Sequence, residues 1–477
     1  MNCLWEPHNV LGVAMIIKCK NRFLSMSCLL AAVFYGTVFG QELDEIVDDT
    51  KSENRERRSK LYFIDKPVEI DTVFNDQVEW PITTAQDISE DDPQFIRRMD
   101  SIREYSKSIQ AIELEGGVWD SGLIEDLATL GELQQRQGDH LTAIETFDRA
   151  VHISRINKGL HTMDQIPALE QKIESYLVMA DWEQADLYYN YMFYIQQKTY
   201  GNTDPRIIPM LGRLANWNLR AFNIGFGDSL GSRLSSAQLL FDAAAKMVDV
   251  HFGRSDERYV GYQKSIANAA YLLSRHPELI NEMTTTEFRL NQDALRRKLI
   301  SSEHRVTRGF QAGEEALLNI VTQRQVDAGI SMPLAEANAN LGDWYLLFDR
   351  RKAAAQMYAN AWQIISELED SEELLNEFFG HVIPLPTFLN APTSLVFASG
   401  DEKGTQDLKA GFVDLRFDVT ENGVVRNLEI VSGETEENSM ILGRLQRQVR
   451  NSVFRPALKD GAAIRSIGSQ FRYRYWY

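Results

Sequence analysis

One short pattern recurs along the chain and constrains its fold more than any other feature. A small residue is followed four positions on by an aromatic one, and three further on by a second small or flexible one. It reads Ala143, Phe147, Ala150, then Ala185, Tyr189, Met192, then Ala237, Phe241, Ala244, and last Ala354, Tyr358, Ala361. Spacings of four and three place all three side chains on one face of a helix. The small residues let two helices cross closely, and the aromatic fills the gap beside them. Matching positions of a preceding helix stand before the first copy (Leu127, Leu130, Gly131, with Gly138 at the turn) and the last (Leu341, Gly342, Tyr345). A single helix pair cannot bury such a face, so pairs must stack.

This spacing resembles the tetratricopeptide repeat. Three loops agree: Gly159-Leu-His-Thr, Gly201-Asn-Thr-Asp-Pro205 and Gly253-Arg-Ser-Asp each open a new helix after a long one. The glycines are 201 − 159 = 42 and 253 − 201 = 52 residues apart. These intervals point to long helices rather than the roughly 34-residue unit. The pattern predicts a helical-repeat solenoid over 92–379, with no register assigned in 275–330. A first helix is expected over 92–112, ended by Gly116-Gly117. The alternative is a helical bundle in which the Ala/aromatic spacing is accidental.

Pro384, Pro386 and Pro392 break the helical pattern, and residues 380–395 read as a linker or extended arm. From Gly411 the period becomes two. Val413, Leu415, Phe417 and Val419 alternate with Asp414, Arg416 and Asp418. Glu421-Asn422-Gly423 signals a hairpin, because Asn-Gly accepts positive φ. Leu428 and Ile430 lie on a second strand, Ile441, Leu442, Leu445 and Val449 share a helical face, and Gln470–Tyr475 alternate again.

Three stretches in this region resemble the TonB C-terminal domain family. They are Phe417-Asp-Val-Thr-Glu-Asn-Gly423, Val431-Ser-Gly433 and Phe454-Arg-Pro-Ala457, with Gly461 before the last strand. The expected fold class is therefore mainly α, a tetratricopeptide-like solenoid followed by a small α+β domain of β-β-α-β order over 396–477. The resemblance implies capture of an extended peptide from an outer-membrane receptor by strand pairing. It assigns that role to the closing strand, Gln470, Phe471, Arg472, Tyr473, Arg474 and Tyr475. Two departures weigh against energy transduction. The family's long Pro-rich spacer is replaced by helical repeats, and the N-terminal apolar segment is short and lacks histidine.

That segment reads as an export signal over residues 1–40. Lys18, Lys20 and Arg22 precede an apolar run from Phe23 to Phe39, which closes on Val38-Phe39-Gly40. Cleavage before Gln41 would deliver the chain to the periplasm. It would also remove Cys3, Cys19 and Cys28, which are all of its cysteines. The alternative keeps 23–39 as an inner-membrane anchor and makes the protein an atypical TonB-type transducer. Residues 41–91 are acidic and irregular, and read as a poorly ordered leader.

The formal charge of −18 disfavours general nucleic-acid binding. Between 444 and 474, however, eight basic residues stand against the single acid Asp460, which suits a binding end. No phosphate loop and no metal-ligand spacing occurs, and no catalytic, cofactor or metal role is assigned. Gly227-Asp-Ser229-Leu-Gly231 imitates a hydrolase nucleophile motif, but it follows a helix rather than a strand and has no partner base. The function expected is a protein–protein interaction scaffold. Its partners would be envelope proteins, among them receptor peptides or TonB-system components, with no small-molecule substrate.

Overall fold

The computed structural model of this chain describes residues 63–64, 68–69, 93–227, 229–299, 309–387, 410–433 and 439–476. The expected signal segment, most of the 41–91 leader, Pro392 and residues 396–409 lie outside the described residues. Residues 65–474 form one compact unit; the stretches holding 63–64 and 475–476 belong to another. In the latter, Phe63–Ile64 (β1) pairs antiparallel with Tyr475 and Trp476.

The larger unit begins with Val68–Glu69 (β2) and continues as a run of helices. They are α1 (Pro93–Gly116), α2 (Leu123–Arg136), α3 (His140–Lys158), α4 (Ile166–Val178), α5 (Trp182–Tyr200), α6 (Ile208–Asn223), α7 (Leu230–Phe252) and α8 (Glu257–Arg275). The short α9 (Leu279–Glu282) and α10 (Thr286–Lys298) intervene before α11 (Phe310–Ala328), α12 (Met332–Leu347), α13 (Arg351–Ser366) and α14 (Ser371–Phe379). Their starts are chemically marked. Asp139, Asp181, Ser229 and Thr285 accept the backbone N–H three residues on, and Pro167, Pro209 and Pro333 sit in first turns. The first helix runs past the expected 112 to Gly116.

Each helix packs on the next from α1 to α8, and again from α11 to α14. Across the stretch left without a register, α8 packs on α11, while α9 and α10 lie against α7. The insertion therefore sits beside the stack and leaves it unbroken. The recurring pattern occupies its seams. Ala143, Phe147, Ala150, Ala185, Met192, Ala237, Phe241, Ala244, Ala354, Tyr358 and Ala361 are all buried, and Tyr189 is half-buried. A methyl group on Gly131 would overlap the Phe147 ring, and one on Gly342 would lie 2.6 Å from the Tyr358 ring. The glycine of the first helix and the aromatic of the second thus form one contact.

A second, polar repetition ties neighbouring pairs at one edge. Asn157 donates to the Trp119 carbonyl (2.8 Å), Thr199 to that of His161 (2.9 Å), and His251 to that of Thr203 (2.8 Å). Each donor lies two residues before a loop glycine (159, 201, 253), and each acceptor two residues after the preceding one (117, 159, 201).

After α14 come β3 (Ile383–Pro384), β4 (Ala410–Val419), β5 (Val425–Gly433), α15 (Ser439–Asn451), β6 (Phe454–Arg455), β7 (Leu458–Lys459), β8 (Ala462–Ala463) and β9 (Ser466–Trp476). Within the larger unit the main sheet runs β2-β9-β4-β5. The turn between β4 and β5 closes with Thr420 N–H on the Val424 carbonyl, and Gly423 has φ +72°. Phe417 stacks on Phe471 at 5.4 Å, and Phe454 packs against both. Leu442, Leu445 and Val449 of α15 are buried, and α15 packs against β5.

Residues 380–395 were read as a linker or an extended arm. Their described part builds a junction. Ile383 and Pro384 pair with Arg455 and Phe454, and the Leu385 N–H meets the Val453 carbonyl at 3.0 Å. The reason is that proline's missing donor is tolerated on a two-residue edge pairing.

Candidate interaction site

The last helix pair and the C-terminal domain share a buried polar cluster. Asp343 follows Gly342 on α12 and is fully buried. Both its carboxylate oxygens bind the Arg455 guanidinium, Oδ1 to Nε at 2.9 Å and Oδ2 to Nη2 at 2.6 Å. Tyr358 Oη donates to Oδ1 (2.9 Å) and Thr387 Oγ1 to Oδ2 (2.8 Å), with Thr387 also 2.9 Å from Asn340 Oδ1. Burial and the carboxylate push the Tyr358 hydroxyl well above its ordinary pKa, so it stays a donor. Burial works against the Arg455 charge, but Asp343 more than offsets it and holds its pKa up. Around this cluster lies apolar packing shared by both parts: Ala335, Leu346, Ala361 and Phe379 with Leu458, Val453 and Ala463. The sequence reading singled out Phe454-Arg-Pro-Ala457 and Gly342 but missed Asp343. Its signal was a lone acid on the apolar side of α12, between Gly342 and Trp344.

Ion pairs join the first helices of successive pairs. Arg213 on α6 binds Glu170 on α4, and Lys264 on α8 lies 3.2 Å from Glu336 on α12. Behind this face, Tyr189 stacks on Trp217 at 5.1 Å, and burial pushes its pKa up to about 12. Trp217 Nε1 and Arg233 both donate to Asp186 at 2.6 Å. Lys172 is sealed between pairs: its ammonium binds Asp148 and the Tyr188 hydroxyl, and lies 4.0 Å from the Tyr188 ring centre. Tyr345, grouped with the repeat-packing residues, is half-buried beside Phe310.

The closing strand differs from expectation. Residues 470–475 were expected to offer an open edge, yet Phe471 pairs with Glu69 and Arg472 with Val68. In the smaller unit Tyr475 pairs with Ile64. The leader supplies this strand, so its described residues are not simply irregular. Phe471 and Tyr473 are buried in the domain core. Arg472 binds Asp414 through two bonds (2.7 and 3.0 Å). The Arg416 guanidinium donates to the Gln470 amide oxygen at 3.1 Å. The side chains of Arg474 and Tyr475 lie outside the described residues.

Three of the eight basic residues of 444–474 are engaged in ion pairs inside the molecule. Arg455 is held by Asp343, Arg465 by Asp418 at 2.7 Å, and Arg472 by Asp414. The three acids lie outside that window of sequence.

Ser229 caps α7. Its oxygen accepts the Ser232 N–H (3.2 Å), and its hydroxyl donates to Glu282 (2.9 Å), which also accepts the Gly231 N–H (2.9 Å). Serine and carboxylate together satisfy a helix terminus. Among the described residues no cluster of His, Cys, Asp or Glu suits a metal ion, and no helix is long and apolar enough to cross a membrane.

No family model matches the chain, and no curated protein matches it. Among solved structures it is similar to a kinesin light chain of Podosopora anserina with nearly identical TPR-like repeats. The TM-score is 0.34 at 13% identity, over 51% of this chain and 96% of that one. It is also similar to BtubC (BKLC) from P. vanneervenii, with TM-score 0.35 at 12% identity over 58% of this chain and 92% of that one. At these scores the contacts between helix pairs, not the likeness, carry the repeat assignment.

Proposed function

We propose that the chain is a non-enzymatic protein–protein interaction scaffold of the bacterial envelope, exported by its N-terminal segment. Its repeat array holds one protein partner. Its C-terminal domain, of the TonB C-terminal kind, receives an extended peptide by strand pairing. The observation that carries this reading is the unbroken stack of helix pairs whose last member is joined to the C-terminal domain through Asp343 and Arg455. Such a frame has a long side-chain-lined face and a sheet in fixed register. The anchored-transducer alternative is less well supported, because a domain fixed to its neighbour by a buried ion pair is poorly suited to reaching across a compartment.

The test is recovery of partners from envelope extract by the tagged full chain, compared with Arg213→Glu/Lys264→Glu. Arg213 is exposed and Lys264 half-buried, and each is in one surface ion pair, so recovery should fall while the melting temperature drops only slightly. Undiminished recovery by the folded variant would remove the first-helix face from the proposal. Mass spectrometry of the mature chain addresses export: a terminus at Gln41 fits the periplasmic reading, and retention of residues 23–39 restores the anchored one.

A further inference from the structure

We propose that the margin of the repeat array formed by the loop glycines 117, 159, 201, 253 and 329 is an interface between two copies of this chain, related by a twofold axis at the Gly201 loop. This surface is separate from the partner face and the sheet considered above, and the proposal does not depend on either.

Three observations converge. The first is a row of exposed apolar side chains at equivalent positions. Three residues before glycines 117, 159, 253 and 329 stand Leu114, Ile156, Val250 and Val326, from 52% to 89% exposed. One residue after 117, 159 and 329 stand Val118, Leu160 and Ile330, each at least half exposed. The rings of Trp119 and Phe252 lie between them, about half exposed. The loops are neighbours. Bonds from Asn157, Thr199 and His251 join the first four, and the Ser255 hydroxyl donates to Asp327 at 2.6 Å to join the fourth to the fifth. Among the described residues, only Leu141 is comparably exposed within three positions of the opposite turns at Gly138, Ala180, Gly225 and Asp349. The row offers on the order of 1,000 Å² of apolar margin, more than the roughly 300–600 Å² of the largest patch on a typical monomer. It also reaches the roughly 800 Å² per partner of a standard interface.

The second observation is charge. Ions flanking the row are paired at the same helix ends: Lys158 with Asp164, Arg206 with Asp204, Arg254 with Asp249 and Arg258 with Asp256. A margin neutralised in this way suits an apolar surface of its own kind better than an anionic membrane or a charged partner. The third observation selects the second copy. At the middle loop the two equivalent positions are polar, Lys198 and Asn202. Beyond the fifth loop, the next inter-pair loop carries exposed Glu367 and Glu369, which end the row. Along the margin the five loops therefore read apolar, apolar, polar, apolar, apolar. That order is the same in both directions, as a twofold interface requires. Loop 159 then meets loop 253 of the second copy, and loop 117 meets loop 329. A slip by one loop would press Lys198 against Leu160 or Val250 and take an ammonium out of water.

The test is sedimentation velocity of the full chain, as its host processes it, at micromolar concentrations. The unmodified chain should sediment as a dimer. Leu160→Asp should weaken the dimer at least about tenfold, because each copy then buries a carboxylate against an apolar loop. Its helix content should be unchanged, since Leu160 is an exposed loop residue. Adding Val250→Lys places an ammonium of the second copy opposite that carboxylate and should restore the dimer. Adding Val326→Lys instead, opposite loop 117, should not. Residues 23–39 are common to every variant, so differences among them belong to the margin. A monomeric unmodified chain overturns the proposal, as does a dimer that Leu160→Asp leaves unweakened. Equal rescue by the two lysines overturns the twofold register. A monomer that floats with phosphatidylcholine vesicles, and no longer does so as Leu160→Asp, gives the margin to a lipid surface instead.

Discussion

Asp343 is a fully buried carboxylate, and four hydrogen bonds from three residues replace its solvation. Breaking such a pair from one side leaves a buried charge uncompensated, which typically costs about 3–5 kcal/mol. Arg455→Met alone should therefore lower the unfolding free energy by about that much, read from the denaturant midpoint. The double replacement Asp343→Leu/Arg455→Met removes both charges and should recover most of the loss. A second residue-scale test lies at the helix crossings. Ala354 is buried against the neighbouring helix, and Ala354→Trp should cost about 1–3 kcal/mol or more through overpacking, seen as a lower melting temperature. The small-aromatic seam was legible because its spacing is local and repeats. Asp343 was not, because its partners Arg455 and Thr387 are 112 and 44 residues away. A lone acid in an apolar helix marks an anomaly without naming what satisfies it.

At the scale of elements, the sheet of the C-terminal domain has a polar side fastened by its own charges. Burial alone would raise the Asp414 pKa, but the bonds from Arg472 and Ser432 more than offset this and hold it below the usual carboxylate value. A depressed folded pKa contributes stability above the unfolded value, about 3.9, and loses it as pH falls through the lower folded one. The melting-temperature gap between the unmodified chain and Asp414→Asn should therefore narrow as pH drops from about 5 to 2. The loop ladder gives a second test. Thr199→Val removes one bond to the preceding loop and should cost about 0.5–1.5 kcal/mol, measured by thermal melting. The hairpin and closing strand could be read from alternation and an Asn-Gly turn, since both signals are local. The pairing of β2 with β9 could not, because it joins residues some 400 positions apart and two residues carry no periodicity. The ladder was hidden for another reason: Asn157, Thr199 and His251 share a position and a bond, but not a side-chain type.

At the scale of the whole molecule, the C-terminal domain closes the last helix pair. A chain ending at residue 387 would lose Arg455, Leu458 and Val453 from that junction, exposing the packing around Ala335 and Phe379. It should melt at a lower temperature and associate on a sizing column, whereas a cut within an independent domain would leave the repeats unaffected. The stack is tied along both margins. Asn157, Thr199 and His251 bind the loops at Trp119, His161 and Thr203 on one. On the other, Gln135, just before the turn at Gly138, binds the Gln171 carbonyl and the Ser175 hydroxyl near the turn at Ala180. A cargo seated on the first pairs of the array therefore meets a surface held from both sides, as rungs are held between two rails, and not one that opens and shuts.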